Sequence, residues 1–129
     1  MRTLTRHKVN GLNEALEINV LDAPGAGGAS HDYQIRLKPD GTVQTIDWLL
    51  NFQNGPIKEA GFNGLTQEVL LAIIIDRLEC FQRGPHACRE NALALTKLAE
   101  AMHWLQHRTR LRLQAGVEGT HAPIPPAQG

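Results

Sequence analysis

The sequence predicts an α+β protein, a small N-terminal antiparallel β-sheet followed by a long antiparallel two-helix hairpin, assembled as an oligomer. Three observations carry this. Residues 16–20 and 33–37 alternate apolar and polar side chains with the period of a strand. Residues 65–115 instead repeat apolar side chains at spacings of three and four. Asn54-Gly55-Pro56 and Gly61 to Gly64 interrupt both patterns, so the change from β to α falls near residue 60. At 129 residues the chain suits a single domain over 1–129, with a β part at about 7–57, a hairpin at about 65–115 and a tail at 117–129.

In the β part, Leu16, Ile18 and Val20 alternate with Glu17 and Asn19, and Tyr33, Ile35 and Leu37 with Gln34, Arg36 and Lys38. Each strand therefore has one wet face. The loop between them, APGAGGASHD, is small and Gly-rich; it can turn the chain or approach a ligand closely. Its GAGG lacks the Lys-Ser/Thr of a phosphate-binding P-loop. Pro39-Asp40-Gly41 signals a tight turn into a third strand from Thr42 to Phe52.

In the helical part, Thr66 suits an N-cap and Glu68 complements the positive helix end. The first helix stops at Gly84-Pro85, with Leu70, Ile74, Arg77/Leu78 and Phe81 as its stripe. A second runs from about Ala87 to Ala115, with Gly116 ending it, a rod of about 44 Å. Its stripe is Leu95, Leu98, Met102 and Leu105. Val69, Leu71, Ile73 and Ile75 make the first helix apolar nearly all round, so part of it should meet another subunit.

Composition narrows the function. Lys plus Arg and Asp plus Glu are 13 each, which excludes the global basic field of a binder of DNA or RNA polymers. The longest apolar run, Val69 to Ile75, is too short to span a bilayer. The basic start has no apolar stretch behind it, so a cytoplasmic location is expected. Cys80 and Cys88 then read as packed thiols rather than a disulfide.

Charge is nevertheless segregated. Ala101 to Val117 carries Arg108, Arg110, Arg112, His103 and His107 and no carboxylate. Arg108 and Arg112, four apart, share a helical face, and two guanidinium forks side by side match two phosphates. The same spacing also suits a solvated helix end with cations at the negative dipole terminus. Phe81 and Asn91 flank the Gly84-Pro85 turn, where an aromatic face and an amide could stack on a purine and read its edge, although Phe81 taken alone reads more often as core. Arg108 and Arg112 lie about 25 to 30 Å farther along the rod, so one chain cannot gather all four residues. An antiparallel second subunit could. His103 and His107 lack a third ligand and the Glu of a metalloprotease motif, so no metal and no cofactor is expected. No triad, nucleophile elbow or carboxylate pair argues for catalysis.

The stretches FQRGPHACRENA (81–92), WLQHRTRLR (104–112) and QAGVEGT (114–120) are specific in combination. Over residues 52–121, and more loosely over 8–35, the chain resembles the phage Thoeris anti-defence proteins of the first described type, whose helical hairpin resembles that of the phage anti-CBASS nucleotide sponges. The resemblance implies sequestration without cleavage of cyclic ADP-ribose isomers, such as glycocyclic ADP-ribose, that bacterial TIR-domain enzymes make on infection. It implies a pocket between two protomers, to which Phe81, Asn91, Arg108 and Arg112 are the matching positions. It implies hexamers built as trimers of dimers, and in some members separate sites for cyclic di- or trinucleotides. His86 stands where an aromatic residue usually follows the Gly-Pro. Two alternatives remain open: a nucleotide-cleaving enzyme using His103 or His107 as acid or base, and a structural or regulatory phage protein whose hairpin serves only oligomerisation.

Overall fold

The computed structural model describes residues 1–39, 41 and 43–123. The elements are β1 (Arg2–Leu4), α1 (Gly11–Ala15), β2 (Leu16–Val20), β3 (Asp32–Leu37), β4 (Ile46–Asn51), α2 (Ile57–Ala60), α3 (Gln67–Gln82) and α4 (Arg89–Gln114). They divide into two compact units. The first holds Met1–Gly55 and Ala60–Leu65, and the second holds Pro56–Glu59 and the chain from Thr66 onward.

The first unit is a sheet in the order β1-β2-β3-β4, with every pair antiparallel. It has one strand more than the sequence pattern suggests, because β1 is a three-residue strand, too short to show alternation. The register places Leu4, Ile18, Ile35 and Trp48 in one cross-strand row, and Val20, Tyr33 and Leu50 in another, all on one face. On the opposite face Thr3 donates to Asn19 (3.1 Å) and Asn19 to Gln34 (3.3 Å), a hydrogen-bonded row across three strands. Arg36 Nε meets Asp47 Oδ1 at 2.9 Å on that face. The expected β3–β4 hairpin is present, but β4 begins at Ile46 rather than Thr42. Asp40 and Thr42, in the expected tight turn, lie outside the described residues, as do the last six residues of the tail.

The Gly-rich loop is tied down by one side chain. The Asp22 carboxylate accepts the backbone N–H of His31 (2.9 and 3.0 Å) and of Asp32 (3.0 Å), and the Ser30 hydroxyl donates to the Asp22 carbonyl at 3.0 Å. Gly25 N–H then closes onto the Ala29 carbonyl at 2.8 Å. Gly27 and Gly28, at φ of 72° and 80°, take the left-handed turn that other residues rarely adopt. Farther on, Leu65 returns to Phe52 in an isolated parallel bridge. Gly64 must be glycine there, since a Cβ would lie 2.4 Å from the Phe52 carbonyl carbon.

In the second unit α3 packs on α4. Thr66 caps α3 as its spacing suggests, its hydroxyl accepting the Val69 N–H at 3.2 Å. The half-buried positions of α4 are Asn91, Leu95, Leu98, Met102, Leu105, Thr109 and Arg112, an unbroken alternation of four and three that contains the expected stripe. On α3 the half-buried positions are Glu68, Leu70, Leu71, Ile75, Leu78 and Gln82. The expected stripe is corrected in part: its Leu70 and Leu78 are half-buried, while Ile74, Arg77 and Phe81 are exposed and Leu71 and Ile75 take the inner side. A helix apolar on several sides does not announce which side faces its partner.

The end of α4 is a Schellman motif. Gly116, at φ of 73°, follows the cap; its N–H bonds the Leu113 carbonyl (3.1 Å) and the Val117 N–H bonds the Arg112 carbonyl (3.0 Å). The Arg112 side chain ties down the segment beyond it. Its Nη2 donates to the carbonyls of Val117 (3.0 Å) and Thr120 (2.9 Å). The resulting strap, residues 117–121, lies on α2 through Lys58 N–H to the Gly119 carbonyl (3.2 Å) and His121 to Glu59 (3.2 Å).

Three outcomes are expected. Three backbone hydrogen bonds, that of Asp32 foremost, hold the Asp22 carboxyl below its ordinary value of 3.8 despite some opposing burial. A depressed carboxyl stabilises the fold above its unfolded value and loses that contribution as pH falls through the folded one. Asp22→Asn should therefore lower the melting temperature at neutral pH, with the difference from wild type closing below about pH 4. Thermal melts across pH 2 to 7 check this. Arg112→Ala, which strands two strap carbonyls, should cost about 1 to 3 kcal/mol in urea unfolding. Arg108→Ala, which breaks no bond among the described residues, should stay within about 0.5 kcal/mol of wild type.

Candidate functional site

The turn between α3 and α4 is built by side chains that close on the backbone. The Gln82 amide spans it, donating to the Cys88 carbonyl (3.1 Å) and accepting the Cys88 N–H (3.0 Å). Cys88 is the N-cap of α4, its sulfur accepting the Asn91 N–H at 3.4 Å, while Cys80 sulfur accepts from Arg83 Nη2 at 3.3 Å. Both cysteines are free and exposed. The expectation of packed thiols is corrected: each sulfur is an acceptor for a nearby donor at the surface.

This turn carries two of the four candidate residues. Phe81, in the last turn of α3, is 40% exposed, on the flank of the helix rather than in the seam. Arg77, one turn earlier, places its guanidinium carbon 5.7 Å from the Phe81 ring centroid, a cation–π contact on one face of the ring. Asn91 lies in the first turn of α4 at the head of the seam, and its side-chain amide has no partner among the described residues. An aromatic face and an uncommitted amide thus share one end of the hairpin.

The other two lie near the opposite end of α4. Arg108 is exposed, and its guanidinium has no partner among the described residues. Arg112, four residues on, is half-buried at the end of the seam line, and the strap carbonyls take both hydrogens of its Nη2. Its Nε–H and Nη1 hydrogens remain to be given elsewhere. The structure therefore pairs Phe81 with Asn91 and Arg108 with Arg112, and it keeps the pairs apart within one chain. The 17 residues from Asn91 to Arg108 are about 25 Å of helix.

Beside Arg108 the structure adds a ring cluster. Trp104, 60% exposed, lies edge-on to His103 and His107, with centroids at 5.3 and 5.9 Å. The two imidazoles stack at 6.3 Å and 14°. Among the described residues no three His, Cys, Asp or Glu side chains group as metal ligands, and no helix is long and apolar enough to cross a membrane. Sequence reasoning passes over Arg77, Trp104 and the strap as parts of a site. The four-residue spacing of Arg77 to Phe81 and of Trp104 to Arg108 is a signal that could find the first two. Carbonyl acceptors on the strap leave none.

Comparison with known proteins bears on this hairpin. Residues 50–110 match the model of the Acb2/Tad1 hairpin domain, a span that includes Phe81, Asn91 and Arg108 and ends two residues before Arg112. The chain is similar to a protein of Bacillus phage SBSphiJ7 named Thoeris anti-defense 1, at 56% identity over 72 residues, which cover 56% of this chain and 51% of that protein. The alignment thus spans about half the length of the relative. Over residues 50–110, just under half of its length, the chain is similar to the Acb2/Tad1 hairpin domain.

Proposed function

We propose that this chain is a phage anti-defence protein that binds cyclic nucleotide immune signals in the host bacterial cytoplasm and withholds them without cleaving them. The preferred ligands are cyclic ADP-ribose isomers such as glycocyclic ADP-ribose, with cyclic di- or trinucleotides of CBASS at further sites. The observation that carries this reading is the match of the hairpin to the Acb2/Tad1 family, together with the uncommitted ring, amide and guanidinium groups that the hairpin holds out.

The chemistry is that of a phosphate-bridged ring with a purine. The exposed ring of Phe81 stacks on the base, and the Asn91 amide, donor and acceptor at once, reads its edge. Arg108 meets one phosphate with a planar fork, and Arg112 meets the other through the donors the strap leaves free. None of these four side chains is itself an acid or base near neutral pH, which fits binding without cleavage.

The pocket is shared between protomers. The turn of one chain meets the far end of α4 of an antiparallel partner, and two-fold symmetry repeats the pocket. The exposed Val69, Ile73 and Ile74 of α3 give the pairing its apolar surface, and such pairs assemble further into hexamers.

Protein mixed with glycocyclic ADP-ribose, heated and filtered should release the ligand unchanged, as read by mass spectrometry; a cleaved product would make the protein an enzyme instead. Arg108→Lys keeps the charge but loses the fork, and should weaken binding by about 1 to 3 kcal/mol in calorimetry. The shared pocket has its own test. A Phe81→Ala, Asn91→Ala chain and an Arg108→Glu, Arg112→Glu chain should each fail to bind, while their purified heterodimer should bind about one ligand, because one of its two pockets is wild type. A heterodimer that fails as its parents do would remove the pocket from between protomers.

A further inference from the structure

We infer that the C-terminal strap, residues 117–121, is a positioning element for Arg112, setting the direction in which that guanidinium is offered to a phosphate. The inference deepens the binding function proposed above and depends on it. Four observations lead to it. Arg112 is the last member of the α4 seam, half-buried, so the stem of its side chain is directed by the packing line that orders Leu98 and Leu105. Its Nη2 is fixed from one side by two carbonyls, at 3.0 and 2.9 Å. Those carbonyls belong to a segment that is itself held: Gly116 reverses the chain, the Thr120 hydroxyl bonds the Val117 carbonyl and accepts the Ala122 N–H, and Lys58 N–H holds the Gly119 carbonyl. Gly119 seats the strap against α2, since a Cβ on it would lie 2.7 Å from Ile57 Cγ1 and its φ of 78° suits only glycine.

A long arginine side chain loses rotamer freedom when a ligand fixes it. The strap removes much of that freedom beforehand. Both hydrogens of Nη2 face the carbonyls, so the free donors, Nη1 and Nε, are held on the remaining edges of the plane. Neither Val117 nor Thr120 needs to touch the ligand for this. The strap acts through Arg112, and that dependence is what can be measured.

The test is a double-mutant cycle on the full chain with glycocyclic ADP-ribose as the probe. Gly119→Ala, which lifts the strap, should weaken binding roughly tenfold in the wild-type background and less than about twofold in an Arg112→Lys background. Thr120→Val, a milder change, should give a smaller loss with the same dependence on Arg112, and it serves if Gly119→Ala lowers the helix signal in circular dichroism. Side-chain nitrogen NMR supplies a readout without ligand: the Arg112 Nη protons should be resolved in wild type and averaged by rotation in Gly119→Ala. Equal losses in both backgrounds, or tighter binding once the strap is lifted, would overturn the inference while leaving the binding function standing. A wild-type chain that binds no cyclic ADP-ribose isomer would overturn the binding function itself, and this inference with it.

Discussion

The alternating four-and-three line of α4 is the constraint from which the second unit takes its form. Leu95, Leu98, Met102 and Leu105 must turn toward α3, because nothing else in the described chain offers them an apolar partner of that length. The same line, continued by one step of four toward the N-terminus and steps of four and three toward the C-terminus, arrives at Asn91, Thr109 and Arg112. Two of the four candidate ligand residues are therefore oriented by leucine packing. The helices are also unequal: α4 has 26 residues and α3 has 16, a difference of ten, or about 15 Å of helix. The overhang of α4 carries Arg108 and Arg112, and the strap is bonded there to Arg112.

That register fixes what is left outside. With Leu71, Ile75 and Leu78 turned inward, Val69, Ile73, Ile74 and Phe81 remain on the outer side of α3. Covering what each of these side chains still exposes is worth on the order of 1 kcal/mol. The sheet is no better supplied: among the described residues Val20 is the one fully buried hydrophobic side chain. A chain of this length normally hides roughly two-thirds of its unfolded surface, so the proposed assembly would complete an unfinished core as well as the ligand pocket.

How much of the molecule is legible in the sequence depends on how local each cause is. The caps of α3 and α4, the α4 stripe and the alternation of β2 and β3 are patterns within a few residues, and all but the sulfur cap of α4 can be read in advance. The three residues of β1 pair with Ile18, Asn19 and Val20 at long range, and a strand of that length has no period to detect. The side of α3 that meets α4 is ambiguous for the opposite reason, since too many of its positions are apolar. Cys88 as an N-cap is hidden because sulfur is a weak acceptor and Ser or Thr is the usual choice there. For the candidate site, residue types and spacing single out Phe81, Asn91, Arg108 and Arg112 as candidates. They cannot show that Arg112 is already half engaged, because its partners are main-chain carbonyls, which every residue has.

That engagement gives a reason for arginine, rather than lysine, at position 112. A lysine ammonium is a compact charge whose three donors radiate from a single nitrogen, so a contact with the strap carbonyls would hold its whole charge at the strap. A guanidinium spreads five donors around a rigid plane, and two of them can bond carbonyls on one edge while the others face a second partner on another. Arg112 can accordingly serve as a strut, with the end of α4 secured at Nη2 and the phosphate met at Nη1 or Nε. Arg108 has no such second duty among the described residues, and its whole fork is free for the ligand. The two arginines share a helix and a residue type, yet in the proposed complex one would bridge protein to ligand and the other would serve the ligand alone. Their conservative replacements should therefore fail for different reasons: Arg108→Lys loses a bidentate geometry, while Arg112→Lys leaves an ammonium that must choose between the strap and the phosphate.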